Sequence, residues 1–169
     1  GERQYCSPVI SSHTDTLLVL ESPNAMACDV ANAWRHPSAQ FLSKAFSHAC
    51  GGSLARFHLS FMLKCHAKID GMTPPVRQRR DWAQVCATQY LDQEIKAIAP
   101  RQILFFGELP VRACFPNLET PWADLLAGQE LLSPYQIESH FFESPSRIQK
   151  HGLSSESGLA FLERLHGIL

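Results

Sequence analysis

The sequence predicts a single α/β domain, a three-layer sandwich around a central parallel sheet of about four strands. Short, largely apolar segments alternate along the chain with longer segments whose apolar residues recur at helical spacing. The chain has 169 residues, of which 45% are hydrophobic and 18% are charged. These values are typical of one globular domain with a sizeable core, so neither a disordered chain nor a fibre is expected.

Apolar segments that are too short for helices and end at turn-forming residues are the predicted strands. They cover residues 16–20, 57–63, 102–106 and 140–142. The segments 16–20 and 102–106 lack the alternation of a half-exposed strand, which indicates buried strands, as in a parallel sheet. In such a sheet, sites lie in the loops after the carboxyl ends of the strands. Those loops are predicted at residues 21–24, 64–80, 107–110 and 144–147.

The longest amphipathic segment predicts a helix over residues 82–99. Asp81 is suited to cap its first turn, and Pro100 ends it. The stripe that we expect to face the sheet consists of Ala83, Ala87, Leu91, Ile95 and Ile98. The preceding segment, 64–80, is polar and contains a glycine and two prolines, so it is predicted to be a long loop.

Further helices are predicted on either side of this one. The first covers residues 37–49, and a short helix follows Gly107, with Pro110 tolerated in its first turn. A final helix covers residues 155–165. The residues that we expect it to turn inward are Leu159, Leu162 and Leu165.

The predicted loop 64–80 carries a cluster of basic residues, Lys64, Lys68, Arg77, Arg79 and Arg80. A mobile basic loop can contact phosphate, and an ordinary solvated loop can have the same composition, so both interpretations stay open. The formal net charge is -1. That balance weighs against tight binding of duplex DNA, where neutralisation of phosphate supplies most of the affinity.

The cysteines and the chain start bear on the compartment. The sequence has six cysteines with no CxxC pair and no zinc-site spacing, so we expect free, mostly buried thiols. There is no signal-peptide pattern and no apolar run of the roughly 20 residues that a membrane span needs. These features predict a cytoplasmic protein. The chain begins at Gly1 without methionine, and we expect a native N-terminal segment before it.

The middle of the chain resembles the iron–sulfur uracil-DNA glycosylases. A strand leads to Lys64-Cys65, and a proline-containing loop precedes a helix with Cys86 near its start. That helix ends at Pro100, and the next strand, QILFF, ends at Gly107. The segment SPSRI and the helix after it are similar to the family's His-Pro-Ser segment and last helix. The resemblance implies a uracil-DNA glycosylase-like fold with a pocket for a flipped-out base.

Matched residue by residue, the resemblance implies that most of that pocket is lost. The family's water-positioning loop falls at residues 20–24, LESPN, and leaves Glu21 and Asn24 as candidates. The stacking aromatic falls at Ser38 and the base-reading asparagine at Phe61, and neither side chain can do that work. The histidine of the His-Pro-Ser motif falls at Ser144, which lacks an imidazole. The remnant catalytic candidates are therefore Glu21, Asn24 and Ser144.

The family's cluster ligands are also incomplete. Cys65 and Cys86 match two of its four cysteines, and Cys6 matches one of an N-terminal pair whose other member is absent. Because the cluster needs four thiolates, we expect no iron–sulfur cluster and no other cofactor, although these three cysteines remain the candidate metal ligands. His36-Pro37-Ser38 spells the His-Pro-Ser motif too early in the chain, where a proline that opens a helix is the better interpretation.

The chain is also similar to the psi subunit of bacterial DNA polymerase III, a relative of the glycosylases without their activity. The similarity lies in the segments LLVLESP, HPSAQFLSKAF and ESPSRIQKHGLSSESGLAFLERL. This resemblance implies a non-catalytic adaptor in DNA replication, with the clamp loader and the chi subunit as partners. The alternative is a diverged uracil-DNA glycosylase that acts in base-excision DNA repair.

Overall fold

A computed structural model describes residues 5–23, 37–64, 74–128, 131–132 and 134–169. It confirms the predicted α/β class, because four parallel strands form a central sheet with helices on both faces. These strands are β1 (Thr16–Leu20), β2 (His58–Phe61), β3 (Gln102–Phe106) and β5 (Glu138–Phe142). A two-residue strand, β4 (Leu131–Leu132), pairs antiparallel with β5 at one edge. The spatial order is β2-β1-β3-β5-β4.

The helices divide between the two faces of the sheet, as a three-layer sandwich requires. One face is covered by α1 (Pro37–Cys50), α6 (Pro145–His151) and α7 (Glu156–Ile168). The other is covered by α2 (Val76–Cys86), α3 (Asp92–Ile98), α4 (Glu108–Cys114) and α5 (Trp122–Leu126). Each layer of helices encloses its own apolar cluster, because successive strand residues point to opposite faces of the sheet.

Aromatic rings join the central strand β3 to its neighbour β5. Phe105 stacks on Phe141 with ring centroids 6.0 Å apart, and Phe106 stacks on Phe142 at 5.2 Å. The two pairs lie on opposite faces of the sheet, one in each apolar cluster. Such aromatic pairs contribute on the order of 0.5–1.5 kcal/mol each beyond the burial of their area.

The helix predicted at 82–99 begins earlier than expected. α2 starts at Val76 with Pro75 as its N-cap residue, and Asp81 is an exposed residue inside the helix. Arg77, Arg79 and Arg80 therefore project from a helix and not from a mobile loop. The prediction was wrong here because the segment VRQRRD has good helix formers but no apolar stripe to reveal them.

A π-helical turn, Ala87–Leu91, joins α2 to α3 and explains the spacing of the buried stripe. Ala83, Ala87, Leu91 and Ile95 are all buried, as predicted, and recur every four residues. Four residues of an α-helix overshoot a full turn by about 40°, so a strict repeat of four would drift away from the sheet. The wider π turn takes up that drift. Ile98 is only partly buried, at the end of α3.

The C-terminal part of the chain differs from the prediction in two details. Ser144 is the N-cap residue of α6, where a turn was expected. In α7, Phe161 and Leu165 face the core and Leu162 is half-buried, but Leu159 is 57% exposed. Two residues rotate a helix by about 200°, so Leu159 cannot share the face of Phe161.

An N-terminal strap, residues 5–15, covers the outer edge of β2. Val9 and Leu59 exchange backbone hydrogen bonds of 2.8 and 3.0 Å in an antiparallel bridge. The Cys6 amide donates to the carbonyl of Lys64 at 2.7 Å, and the Ser11 amide donates to Nδ1 of His58 at 3.0 Å. The strap therefore pairs an edge that would otherwise be open to other chains.

No helix in the described residues has the length and apolarity to cross a membrane.

Gly107, directly after β3, permits a backbone conformation that other residues avoid. Its φ is +99°, and a Cβ built there would lie 3.4 Å from Cβ of Ser144. We expect Gly107→Ala to lower the free energy of unfolding by about 1–3 kcal/mol, because the backbone of an alanine is strained at this φ whereas that of glycine is not. The matched control is Gly167→Ala in α7, where an added Cβ meets no atom within 4 Å. That change should leave stability unchanged or raise it by up to about 1 kcal/mol in urea unfolding. Equal effects of the two changes would contradict this account.

Candidate functional site

The carboxyl edge of the sheet carries a cleft at the point where the chain changes direction. β1 leads to β2 on one side and β3 leads to β5 on the other, and ligands in open parallel sheets bind outside such a divergence. The cleft has a volume of about 190 Å³. The described side chains with charge that line this carboxyl-edge cleft are Glu21, Glu108, Glu143, Arg79, Arg80, Arg112 and Arg147.

Ion pairs account for most of these charges. The guanidinium of Arg79, on α2, pairs with the carboxylate of Glu21, directly after β1. Two i,i+4 pairs stand at the starts of helices: Nε of Arg112 lies 3.2 Å from Oε1 of Glu108, and Nη1 of Arg147 lies 3.3 Å from Oε2 of Glu143. Arg80 forms no ion pair with any residue that the structure describes, so the described lining of the cleft carries a net positive charge.

The structure brings Glu21 and Ser144 together around Gly107. A Cβ on Gly107 would lie 3.4 Å from Cβ of Ser144 and 3.9 Å from Oε2 of Glu21. One oxygen of Glu21, Oε1, accepts the hydrogen bond from Arg79, and the other faces this narrow gap. The Oγ of Ser144 lies 3.4 Å from Oγ of Ser146. Asn24, the third remnant candidate, lies outside the described residues.

The positions matched to base recognition do not contribute to the cleft. Phe61 ends β2 beside Leu20, and its side chain is 1% exposed within the apolar cluster under α1. Ser38 lies in the first turn of α1 and is not among the described residues that line the cleft. A side chain that reads a base must reach it and offer donors and acceptors, and a buried phenylalanine does neither.

Of the described members of the predicted basic cluster, two reach the cleft, and Lys68 lies outside the described residues. Arg79 and Arg80 line it, whereas Arg77 is exposed and lies outside its lining. Nε of Arg79 is buried and has no hydrogen-bond partner among the described residues. Arg112 and Arg147 were not predicted. A local pattern in the sequence could have predicted them, because each arginine follows a glutamate by four residues at the start of a segment after a strand.

Lys64 has a different environment from the one predicted. Its ammonium is 2% exposed and forms an ion pair with Glu94 of α3, which is 8% exposed. The ammonium also donates to Oγ of Ser60 at 2.5 Å, and Ser60 donates to Oε2 of Glu94 at 2.6 Å. Burial lowers the pKa of Lys64, while the charge of Glu94 opposes that shift. A buried carboxylate therefore satisfies this ammonium, so the environment of Lys64 fits neither a phosphate-contacting loop nor a solvated one.

The prediction that the cysteines are free thiols was wrong for Cys6. Cys6 is disulfide-bonded, so its thiolate is not available as a metal ligand. Cys50, Cys86 and Cys114 are free, and burial raises the pKa of Cys114 to about 12. Cys65 lies outside the described residues. Within the described part of the chain, no group of three or more His, Cys, Asp or Glu residues is placed to hold a metal ion.

No protein-family model matches the sequence, and no curated protein is significantly similar to it. The likeness to the uracil-DNA glycosylases and to psi therefore rests on the residues and segments already described. A shared fold does not establish a shared function, so function has to be argued from the chemistry of the cleft.

The pair of Lys64 and Glu94 gives a stability prediction. Either Lys64→Met or Glu94→Leu alone should lower the free energy of unfolding by about 3–5 kcal/mol, because each leaves the other charge buried without its partner. The double variant should lose much less than the sum of the two. Urea unfolding of the four proteins measures this coupling.

The control for that cycle is Arg101→Gln, which breaks an exposed pair with Asp15 whose side chains are 87% and 55% exposed. Its effect should stay below about 1 kcal/mol. Additive losses in the Lys64 and Glu94 variants would show that the two charges do not depend on each other.

Proposed function

We propose that this protein is a non-catalytic adaptor with a uracil-DNA glycosylase-like fold, a psi-like subunit that links the clamp loader to chi in bacterial DNA replication. The observation that carries the proposal is the burial of Phe61. At the position that the resemblance gives to a base-reading amide, this chain has an aromatic ring in its core. Such a role would place the protein in the bacterial cytoplasm.

The size of the carboxyl-edge cleft supports the same conclusion. Its volume of about 190 Å³ falls below the roughly 300 Å³ at which small-molecule sites usually begin. A glycosylase must take in a whole flipped-out nucleotide. The ion pair of Arg79 and Glu21 fills part of the space in which a base and an attacking water would have to meet.

The available chemistry also supports an adaptor. Glycosidic cleavage needs a group that positions water and a group that stabilises the charge on the leaving base. Arg79 already engages the carboxylate of Glu21, and Ser144 has a hydroxyl where the family has an imidazole.

The disulfide at Cys6 concerns the compartment and not the chemistry of the cleft. Disulfides are rare in a reducing cytoplasm, so this is the feature that fits the proposed compartment least well.

A specific observation favours the second candidate, a diverged uracil-DNA glycosylase in base-excision repair. Glu21 and Ser144 flank Gly107 in one cleft, and the cation of Arg80 is not neutralised by a described carboxylate. A guanidinium can stabilise an anionic leaving group. Glu21, Ser144 and Arg80 together therefore form a minimal set of the groups that glycosidic cleavage needs.

An activity assay separates the two candidates. We expect the purified protein to leave a single-stranded oligonucleotide with one uracil intact, as judged by strand scission after alkali, at the level of a protein-free blank. Glu21→Ala should give the same result. Strand scission by the wild-type protein that Glu21→Ala abolishes would overturn the adaptor proposal.

A binding experiment tests the adaptor role directly. Mixed with purified chi or with the clamp-loader subunits, the protein should co-elute with them from a size-exclusion column. An unrelated protein of similar mass should elute alone under the same conditions. Absence of association with both partners would contradict the proposal.

A further inference from the structure

A second cavity, larger than the carboxyl-edge cleft, lies between α6, α7 and the end of α5. Its volume is about 470 Å³, which is within the usual range for small-molecule sites. Its walls are mainly apolar, formed by Leu126, Phe142, Ile148, Ala160 and Phe161. The rings of Phe142 and Phe161 meet edge to face with centroids 5.4 Å apart. We call this cavity the α6–α7 pocket.

Arg164 of α7 supplies a cation at the wall of this pocket. Its guanidinium carbon lies 5.2 Å from the ring centroid of Phe142. Its Nη atoms donate to the carbonyls of Leu125 and Leu126 at the end of α5, the former at 3.3 Å. Both acceptors are uncharged, and no described carboxylate pairs with this guanidinium. Burial lowers the pKa of Arg164, which reflects the cost of a half-buried charge without a counter-ion.

The other charged groups of the pocket cancel each other, so Arg164 leaves its described lining net positive. Arg147 and His151 of α6 also line it, and Glu143 is the one carboxylate among the described lining residues. Glu143 is already paired with Arg147 at 3.3 Å. An anionic group that enters the pocket would therefore find Arg164 uncompensated and no free carboxylate to repel it.

We propose that the α6–α7 pocket binds a small amphipathic molecule that carries an apolar ring and a carboxylate. The ring lies against Phe142 and Phe161, and the carboxylate lies beside Arg164. The aromatic walls select an apolar body because it leaves water on binding. The guanidinium selects a carboxylate, since a charge-assisted hydrogen bond is stronger than one between neutral groups. This binding site is separate from the adaptor role and does not depend on it.

A different role for Arg164 would be purely structural, as a cap on the carbonyls that end α5. The two roles differ in what the pocket can bind. A cap needs no ligand and does not discriminate between an acid and its amide, whereas a carboxylate site must do so.

Matched probes test this difference. We expect 3-phenylpropionate to bind saturably in an NMR titration, with shifts in amides of α6 and α7. The uncharged 3-phenylpropanamide and the ring-free propionate should each bind at least about tenfold more weakly. Equal affinity for the acid and the amide, or no saturable binding of the acid, would overturn the proposal.

Variants locate the site. Ala160→Phe fills the pocket from an exposed helix position and should reduce the affinity for 3-phenylpropionate by about tenfold or more. Arg164→Gln should remove the preference for the acid over the amide. Lys150→Gln, which removes an exposed cation of α6 that is not among the lining residues, should leave the affinity unchanged. Each variant is first compared with the wild type by circular dichroism, and binding that Ala160→Phe does not weaken would place the ligand elsewhere.

Discussion

Burial of the parallel sheet on both faces is the constraint from which the position of the charged site follows. The residues of β1 are at most 3% exposed, and β3 and β5 are buried almost throughout. Polar side chains along such strands would each need a buried partner, which is costly to supply. The chain therefore places its charges directly after the strands, as with Glu21, Glu108 and Glu143. The carboxyl-edge cleft is the result of this displacement.

The carboxyl-edge cleft and the α6–α7 pocket differ in how their charges are paired. In the carboxyl-edge cleft, three ion pairs neutralise most of the charge and occupy the space between the strand ends. In the α6–α7 pocket, the apolar walls remain open and one cation faces neutral carbonyls. Glu143 and Arg147 line both cavities, so their ion pair forms the shared wall. The carboxyl-edge cleft is thus closed by pairing, while the neighbouring α6–α7 pocket stays open.

Local patterns in the sequence predicted those features that depend on local physics. β1 and β3 have the bounds that their apolar runs indicated, and α1, Pro37–Cys50, covers the predicted helix 37–49. The start of α2 was missed because its first turns carry charges and no apolar stripe. The environment of Lys64 could not be predicted either. Its partner, Glu94, lies 30 residues away, and only the packing of α3 against the end of β2 brings them together.

The N-terminal strap shows why a buried ion pair can be kept although it adds little net stability. Two apolar residues of similar volume would fill the place of Lys64 and Glu94 at lower cost in desolvation. They could not, however, accept the hydrogen bond of 2.8 Å that Tyr5 donates to Oε1 of Glu94. The adjacent amide of Cys6 is held by the carbonyl of Lys64. The pair therefore fixes the register of the strap on β2. With the strap held in this register, the edge of β2 cannot pair with a second chain.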